Sequence, residues 1–119
     1  MKYINLCPHA IVIINVTGQI VRMIEPSGQV ARCEEKTEYP TMLSPDVIPL
    51  IYRTYGAVTG LPEEDKTGCL LYIVSHMVRQ ALPHRLDLAS PGDTLRDEDG
   101  RIIGCKNLVV NDPSPEEPT

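Results

Sequence analysis

Ser75, His76 and Arg79 are the residues of this sequence best suited to chemistry, because polar side chains there directly follow an apolar run. Residues 69 to 74 (CLLYIV) are typical of a buried strand, and the segment after them has a helical composition. A serine at such a junction can cap the helix, and the free N–H groups of a first helical turn favour an anion. This spacing predicts a site for a phosphate or carboxylate group, with an ordinary helix cap and a solvated arginine as the alternative.

A second candidate lies in the segment YRTYG, residues 52 to 56. Tyrosine rings and a guanidinium group are suited to stacking on a nucleobase, so Tyr52 and Arg53 are predicted ligand-binding residues. Tyrosine is also a common strand residue, and in a chain without Phe or Trp it must serve as a core aromatic. Both interpretations remain open at this stage.

Histidines in proline-containing loops form a third group. His9 follows Pro8, and His84-Arg85 follows Pro83, so His9 and Arg85 are predicted to hydrogen-bond a ligand. Cys7 and His9 are close enough to share a metal, but a structural zinc site normally shows a second paired spacing, which is missing here. The sequence therefore predicts no metal and no cofactor.

Catalytic signatures are missing from the chain. It contains no GxSxG elbow, Walker A loop, GxGxxG, HExxH or SxxK motif. The acidic clusters at 63 to 65 and 97 to 99 fall in predicted turns and are interpreted as solvated charge. Binding without turnover is therefore favoured over enzymatic activity, and a hydrolase that uses His9 or His84 as its general base is kept as the alternative.

Length and charge narrow the class of protein. A chain of 119 residues is sufficient for one domain with a single core. The formal net charge is −5, and the absence of basic runs makes duplex nucleic acid a poor partner. No apolar run approaches the roughly 18 residues of a membrane span. Widely spaced cysteines without a signal peptide predict reduced thiols and a cytoplasmic location.

Hydrophobic patterning predicts an α+β or α/β fold: a small, sheet-dominated single domain, residues 1 to 110, with one short helix after the strand at 69 to 74. Residues 111 to 119 are predicted to be a disordered, acidic, proline-rich tail. A helical turn is predicted after Ser44. Whether the strands around residues 69 to 89 pair in parallel is left open. The predicted strands are 3–7, 10–16, 19–25, 30–35, 50–58, 69–74 and 86–89, followed by two arms around the turn at 97–100, and the predicted helix spans 75–82.

Four segments together resemble a group of short proteins of unassigned function from bacteriophages and prophage-bearing bacteria. They are INLCPHAIVI, YGAVTGLPE, LYIVSHMVRQALPHRLDLASPG and RDEDGRIIGCKNLVV, and the likeness covers most of the chain except residues 36 to 48 and the tail. No catalytic residue can be transferred from this group. Cys7 stands where a small polar residue such as Thr is expected, which argues against thiol or metal chemistry at Cys7.

The resemblance implies a phage setting, and in host cells a location in the host cytoplasm. Small phage proteins of this kind include sponges that sequester nucleotide second messengers of bacterial defence systems. The resemblance thus implies a protein that sequesters a small phosphorylated or nucleotide-like signalling molecule, such as a cyclic nucleotide or an ADP-ribose derivative, and the protein is expected to be a homo-oligomer. A structural or protein-interaction phage protein is the other alternative. The predicted ligand-binding residues are Ser75, His76, Arg79, His9, Tyr52, Arg53 and Arg85.

Overall fold

The computed structural model describes residues 1–39, 48 and 50–113, and strands dominate it. One short helix occurs within this described part of the chain, directly after the strand in the 69 to 74 run. The prediction of a small sheet-dominated α+β fold with that helix is confirmed. In chain order the elements are β1 Lys2–Asn5, β2 Ile11–Ile14, β3 Ile20–Ile24, β4 Arg32–Glu38, β5 Tyr52–Thr59, β6 Leu70–Ile73, α1 His76–Ala81, β7 Leu88–Pro91, β8 Thr94–Arg96, β9 Ile102–Cys105 and β10 Leu108–Val110.

The first sheet has the strand order β1-β6-β7-β10. β1, β6 and β7 are parallel to one another, and β10 joins the far edge in the antiparallel sense. The helix α1 connects β6 to β7, which answers the open question of pairing around residues 69 to 89 in favour of parallel strands. β6 lies inside this sheet with both faces covered, and a strand in that position requires apolar residues throughout rather than alternation.

The second sheet is built from two hairpins in the order β3-β2-β9-β8. β2 pairs with β3, and β8 with β9, in the antiparallel sense, while β2 and β9 meet in parallel at Ile13 and Cys105. The contact between the hairpins is close at Gly104, where an added Cβ would lie 2.6 Å from Ile14 Cδ1 and 2.8 Å from the Val12 carbonyl oxygen. Glycine is therefore required there.

The two faces of the first sheet bury different clusters. On one face, Tyr72, Val74 and Leu88 pack with Val78 of α1. On the other face, Ile73 packs with residues of the second sheet, Ile11, Ile24 and Cys105 among them. The first sheet is thus held between the helix and the second sheet, and its strand ends are positioned from both sides.

β4 and β5 form a separate two-stranded sheet, here called the arm. Only its base packs on the core, through Cys33 and Val58. Along the rest of the arm most residues are exposed, and Tyr52 and Tyr55 retain 55% and 50% of their accessible surface. A two-stranded ribbon with so little buried surface has marginal stability of its own.

Two boundaries differ from the sequence predictions. β7 begins at Leu88, so Ser90 and Pro91 are strand residues rather than the turn predicted after residue 89. The apolar residues Leu108–Val110 were predicted to belong to the hairpin around residues 97 to 100, but they form β10 in the other sheet. Local patterning identifies a strand but does not say which sheet it joins.

The predicted tail begins too early. Asn111 is 7% exposed and hydrogen-bonds across to residues 79 to 85, so it is part of the folded body. The predicted helical turn after Ser44 lies outside the described residues. Within the part of the chain that is described, no helix is long and apolar enough to cross a membrane.

Candidate functional site

The carboxyl ends of the parallel strands of the first sheet meet at one edge. β1 ends at Asn5, β6 at Ile73 and β7 at Pro91, and hydrogen bonds continue the pairing slightly beyond them, from Leu6 N–H to the Ile73 carbonyl oxygen and from Val74 N–H to the Ala89 carbonyl oxygen, each at 2.8 Å. The segments that follow these strands therefore emerge side by side. In open α/β sheets this is the edge at which ligands usually bind.

A cavity of about 690 Å³ lies at this edge, between the first and second sheets. Its volume falls within the range of roughly 300–1,000 Å³ that is typical of small-molecule sites. Its wall combines the three segments at the strand ends with β9 of the second sheet. The lining residues are Cys7 to Val12, Ser75, His76, Pro91, Thr94 and Ile102 to Cys105. This space is called the carboxyl-edge cavity below.

Asn5 holds the first of these segments in place. Its side chain is 1% exposed, and its Nδ2 donates to the carbonyl oxygens of His9 at 2.9 Å and Ile24 at 3.0 Å. Its Oδ1 accepts a hydrogen bond from the Cys7 N–H at 2.8 Å. Buried amide groups with every partner satisfied fix a single loop conformation. The position of His9 at the cavity is therefore set by a buried residue of β1.

The second segment begins the helix. Ser75 is the N-cap, and its Oγ accepts a hydrogen bond from the Val78 N–H at 3.3 Å, as the cap interpretation predicts. Ser75 and His76 are both exposed and both line the cavity. Arg79 positions the His76 ring, since Nη2 of Arg79 lies 3.0 Å from Nδ1 of His76.

Arg79 is buried and belongs to an internal hydrogen-bond network instead of the cavity wall. It is 9% exposed, its Nε donates to Ser90 Oγ at 2.8 Å, and its Nη1 donates to Asn111 Oδ1 at 3.1 Å. The Asn111 amide nitrogen in turn lies within 3.4 Å of the carbonyl oxygens of Arg79, Leu82 and Arg85 at the end of the helix. This network ties α1 to β7 and to the chain after β10.

Two buried thiols lie in the wall. Burial raises the pKa of Cys7 above its ordinary value, and the thiol lies 3.8 Å from the Ile73 carbonyl oxygen. Burial likewise raises the pKa of Cys105, outweighing hydrogen bonds from the N–H groups of Gly92 and Asn107, and its thiol lies 3.6 Å from the Val12 carbonyl oxygen. Both sulfurs therefore stay protonated at neutral pH and are weak nucleophiles.

Arg85 serves a structural purpose away from the cavity. Its guanidinium pairs with the buried carboxylate of Asp87, at 2.6 Å between Nη2 and Oδ2, and donates to the Pro62 carbonyl oxygen at 3.0 Å. Burial opposes ionisation of Asp87, but the hydrogen bonds from Arg85 and from the Asp65 N–H outweigh it and lower the Asp87 pKa. The hydrogen bond to Asp87 also raises the Arg85 pKa.

Tyr52 and Arg53 lie in the arm, outside the cavity wall. Arg53 pairs with Glu35 on the neighbouring strand, with 2.7 Å between Nε and Oε1. Of the seven predicted ligand-binding residues, the structure brings His9, Ser75 and His76 together at one cavity, while Arg79, Arg85, Tyr52 and Arg53 do not line it. No cluster of three or more His, Cys, Asp or Glu suited to a metal ion occurs among the described residues.

The sequence predictions did not include Asn5 and Asn111, two buried polar residues that position this site. A signal for Asn5 was present, because an asparagine inside the apolar strand YINLC must find hydrogen-bond partners if it is buried. Asn111 gave no such signal, since its partner Arg79 lies 32 residues away in the chain.

Searches of protein-family models, of curated proteins and of solved structures found no match for this chain.

Proposed function

We propose that this protein binds a small nucleotide-like molecule in the carboxyl-edge cavity and sequesters it without turnover. The observation that carries the proposal is the convergence of His9 and His76 on one largely apolar cavity at the carboxyl ends of three parallel strands. Two imidazoles from segments 67 residues apart in the sequence meet there because buried side chains hold each segment in place.

The composition of the wall supports a ligand with a flat apolar part and a few polar groups. Ile11, Val12 and Ile102 contribute aliphatic surface, and the ring faces of a heterocycle are suited to such contacts. His9, His76, Ser75 and Thr94 contribute the polar side chains. Lys, Arg, Asp and Glu are missing from the described residues that line the cavity, so recognition depends on hydrogen bonds more than on charge.

The side chains of the site favour sequestration over chemistry. The raised pKa values of Cys7 and Cys105 disfavour a thiolate nucleophile. Ser75 Oγ is engaged as the helix cap. Hydrolysis with a histidine base is the alternative, and His9 is its remaining candidate within the cavity, because His84 is exposed and does not line it.

The biological setting of the proposal rests on the resemblance to short phage proteins. In that setting the ligand is a signalling molecule made by a bacterial defence system, and holding it in the cavity lowers its free concentration. Isothermal titration against cyclic dinucleotides and ADP-ribose derivatives tests this proposal. Chromatography of the ligand released on denaturation then separates the two mechanisms: unaltered ligand supports sequestration, and altered ligand supports the hydrolase.

A matched pair of variants locates the site. Ile102 and Ile20 are exposed strand residues of the second sheet, with 58% and 61% of their surface accessible, but only Ile102 lines the cavity. We expect Ile102→Glu to weaken binding at least tenfold, because a carboxylate in an apolar wall repels an anionic ligand and loses apolar contact. Ile20→Glu should leave affinity unchanged. Equal effects of the two substitutions would contradict the assignment of the site.

A further inference from the structure

The hydrogen-bond partners of the two cavity histidines favour opposite tautomers. Nδ1 of His76 lies 3.0 Å from the Arg79 guanidinium, which carries donors and no acceptor. This nitrogen must therefore be the acceptor and carry no proton. In the neutral ring the proton then resides on Nε2, so the nitrogen of His76 that remains available to a ligand is a hydrogen-bond donor.

The hydrogen bond of His9 favours the opposite tautomer. Its Nδ1 lies 3.1 Å from the Ala10 carbonyl oxygen, which can only accept a hydrogen bond. Nδ1 therefore carries the proton, and in the neutral ring the remaining nitrogen, Nε2, is an acceptor. One imidazole has a carbonyl group as its partner, and the other has a guanidinium group. The two histidines therefore offer the cavity one hydrogen-bond donor and one acceptor.

Arg79 can impose this tautomer because it is fixed on its other sides. Ser90, which is fully buried, and Asn111 bind Nε and Nη1 of Arg79, so the guanidinium cannot turn away from His76. Among the described residues the hydrogen-bond acceptors of Arg79 are neutral groups, and the ion pairs found there do not include it.

We propose that this pair of tautomers reads the hydrogen-bonding edge of a neutral heterocycle, with His76 Nε2–H donating to an acceptor of the ligand and His9 Nε2 accepting from a ligand N–H. The inference rests on the proposed function and names the part of the ligand that the cavity recognises. The edge of a nucleobase carries both kinds of group, and the uncharged, aliphatic wall suits its ring. Arg79 is a positioning residue, because it acts through His76.

The tautomers are measurable in the protein without ligand. Two-bond ¹H–¹⁵N correlation spectra distinguish a protonated ring nitrogen from a bare one, and His84, which is exposed and outside the cavity, provides an internal reference. We expect protonated Nε2 at His76 and protonated Nδ1 at His9. The opposite tautomer at either residue overturns the inference, whether or not a ligand is known.

Arg79→Gln tests the positioning role with the same spectra. It should return His76 to a mixture of tautomers while His9 is unchanged, whereas an arginine that merely stabilises the fold would leave the His76 tautomer as it was. If Arg79→Gln does not fold, Ser90→Ala provides the test, since it removes the Nε partner that holds the guanidinium against His76. Unchanged His76 signals in the folded variant contradict the role of Arg79.

Ligand recognition is tested by blocking one edge group at a time. Titrations compare inosine with 1-methylinosine, and uridine with 3-methyluridine, because the methyl group replaces the ring N–H that His9 would accept. We expect the methylated nucleosides to bind about tenfold to hundredfold more weakly, the range expected for an unpaired group in a site built for a hydrogen bond. In His9→Ala this difference should disappear, and in His84→Ala it should persist.

The outcomes separate this inference from the proposed function. If nucleosides bind and methylation does not change their affinity, the histidines do not recognise the hydrogen-bonding edge of the base. The inference then fails, although the protein still binds nucleotide-like molecules. If neither the nucleosides nor the cyclic dinucleotides and ADP-ribose derivatives bind, the proposed function fails, while the tautomers remain measurable in the free protein. If binding is weakened equally in wild type and His9→Ala, the methyl group acts by size, and the role of His9 is overturned.

Discussion

The carboxyl-edge cavity and the arm contain similar residue types in very different surroundings. At the cavity edge, Arg79 is buried among neutral hydrogen-bond partners and orients a histidine. In the arm, Arg53 pairs with Glu35 while each side chain retains about half of its exposure, 50% and 45%. The geometry of a site therefore depends on the partners that hold its polar side chains in place. A guanidinium with buried partners can fix a neighbour's geometry, and one in solvent cannot.

The largest expected effect concerns the network behind the cavity. Asn111→Ala removes the acceptor of the buried Arg79 Nη1 and one donor to the carbonyl oxygens of Leu82 and Arg85. We expect the free energy of unfolding to fall by about 3 kcal/mol, since an unsatisfied buried group costs about 1–3 kcal/mol and more when it is charged. Urea unfolding monitored by circular dichroism measures this.

Asn111→Asp separates the contribution of the acceptor for Arg79 from that of the donor to the carbonyl groups. The carboxylate keeps an acceptor for Arg79 and adds an opposite charge, but it cannot donate to the carbonyl oxygens. Its loss of stability should therefore be smaller than that of Asn111→Ala. A loss below about 1 kcal/mol for Asn111→Ala would place it in the range of ordinary surface contacts and remove the contrast between cavity edge and arm.

The second largest effect concerns the stability that a buried ion pair contributes, in contrast to an exposed one. The pair Arg85–Asp87 is mostly buried, with side-chain exposures of 15% and 2%, whereas Arg53–Glu35 lies in solvent. Because the folded state lowers the Asp87 pKa below its ordinary value of 3.8, the carboxylate stabilises the fold above that pH. This contribution is lost as the pH falls through the lowered pKa. Stability should therefore decrease with acid in that window.

The substitution Asp87→Asn tests the predicted direction of the change in stability with pH. The variant should be less stable than wild type by about 1.5–3 kcal/mol near neutral pH, the range for hydrogen bonds to charged groups, and the difference should shrink as the pH falls below about 4. Denaturant titrations between neutral and acidic pH measure it. Asp99→Asn, an exposed carboxylate in the β8–β9 turn, is the control and should leave the acid dependence unchanged. A constant difference at all pH values would show that Asp87 acts through shape and not through charge.

The sequence predicted the strands far better than their partners. The runs that became β1, β2, β3 and β6 are recognisable from apolar patterning, and the helix start at Ser75 from its cap. β10 was assigned to the wrong hairpin because its three residues carry no information about which sheet edge is free. Pairing is a long-range property, and a short apolar run is compatible with several neighbours.

For the candidate site, the sequence predicted Ser75, His76 and Arg79 as ligand-binding residues, and two of these three line the carboxyl-edge cavity. Ser75 and His76 were predicted from a strand that passes directly into a helix, and the structure places them at the cavity together with His9. Arg79 was predicted to bind the ligand, with a solvated side chain as the alternative, but the structure buries it. Its guanidinium is buried because Ser90 and Asn111, which lie 11 and 32 residues later in the chain, accept its hydrogen bonds. A local sequence pattern does not indicate such distant partners.

The smallest effects are expected in the arm. Glu35→Ala and Arg53→Ala should each change the free energy of unfolding by less than about 1 kcal/mol, and a double-mutant cycle should give a coupling of about 0.2–1 kcal/mol, because solvent and salt screen the pair. Tyr52→Ala, which removes a half-exposed ring away from the cavity, should change nucleotide affinity less than twofold, against a tenfold loss for Ile102→Glu. Titration of the same ligand against both variants measures this contrast. A comparable loss for Tyr52→Ala would mean that the arm contacts the ligand, and the separation between the two regions would no longer hold.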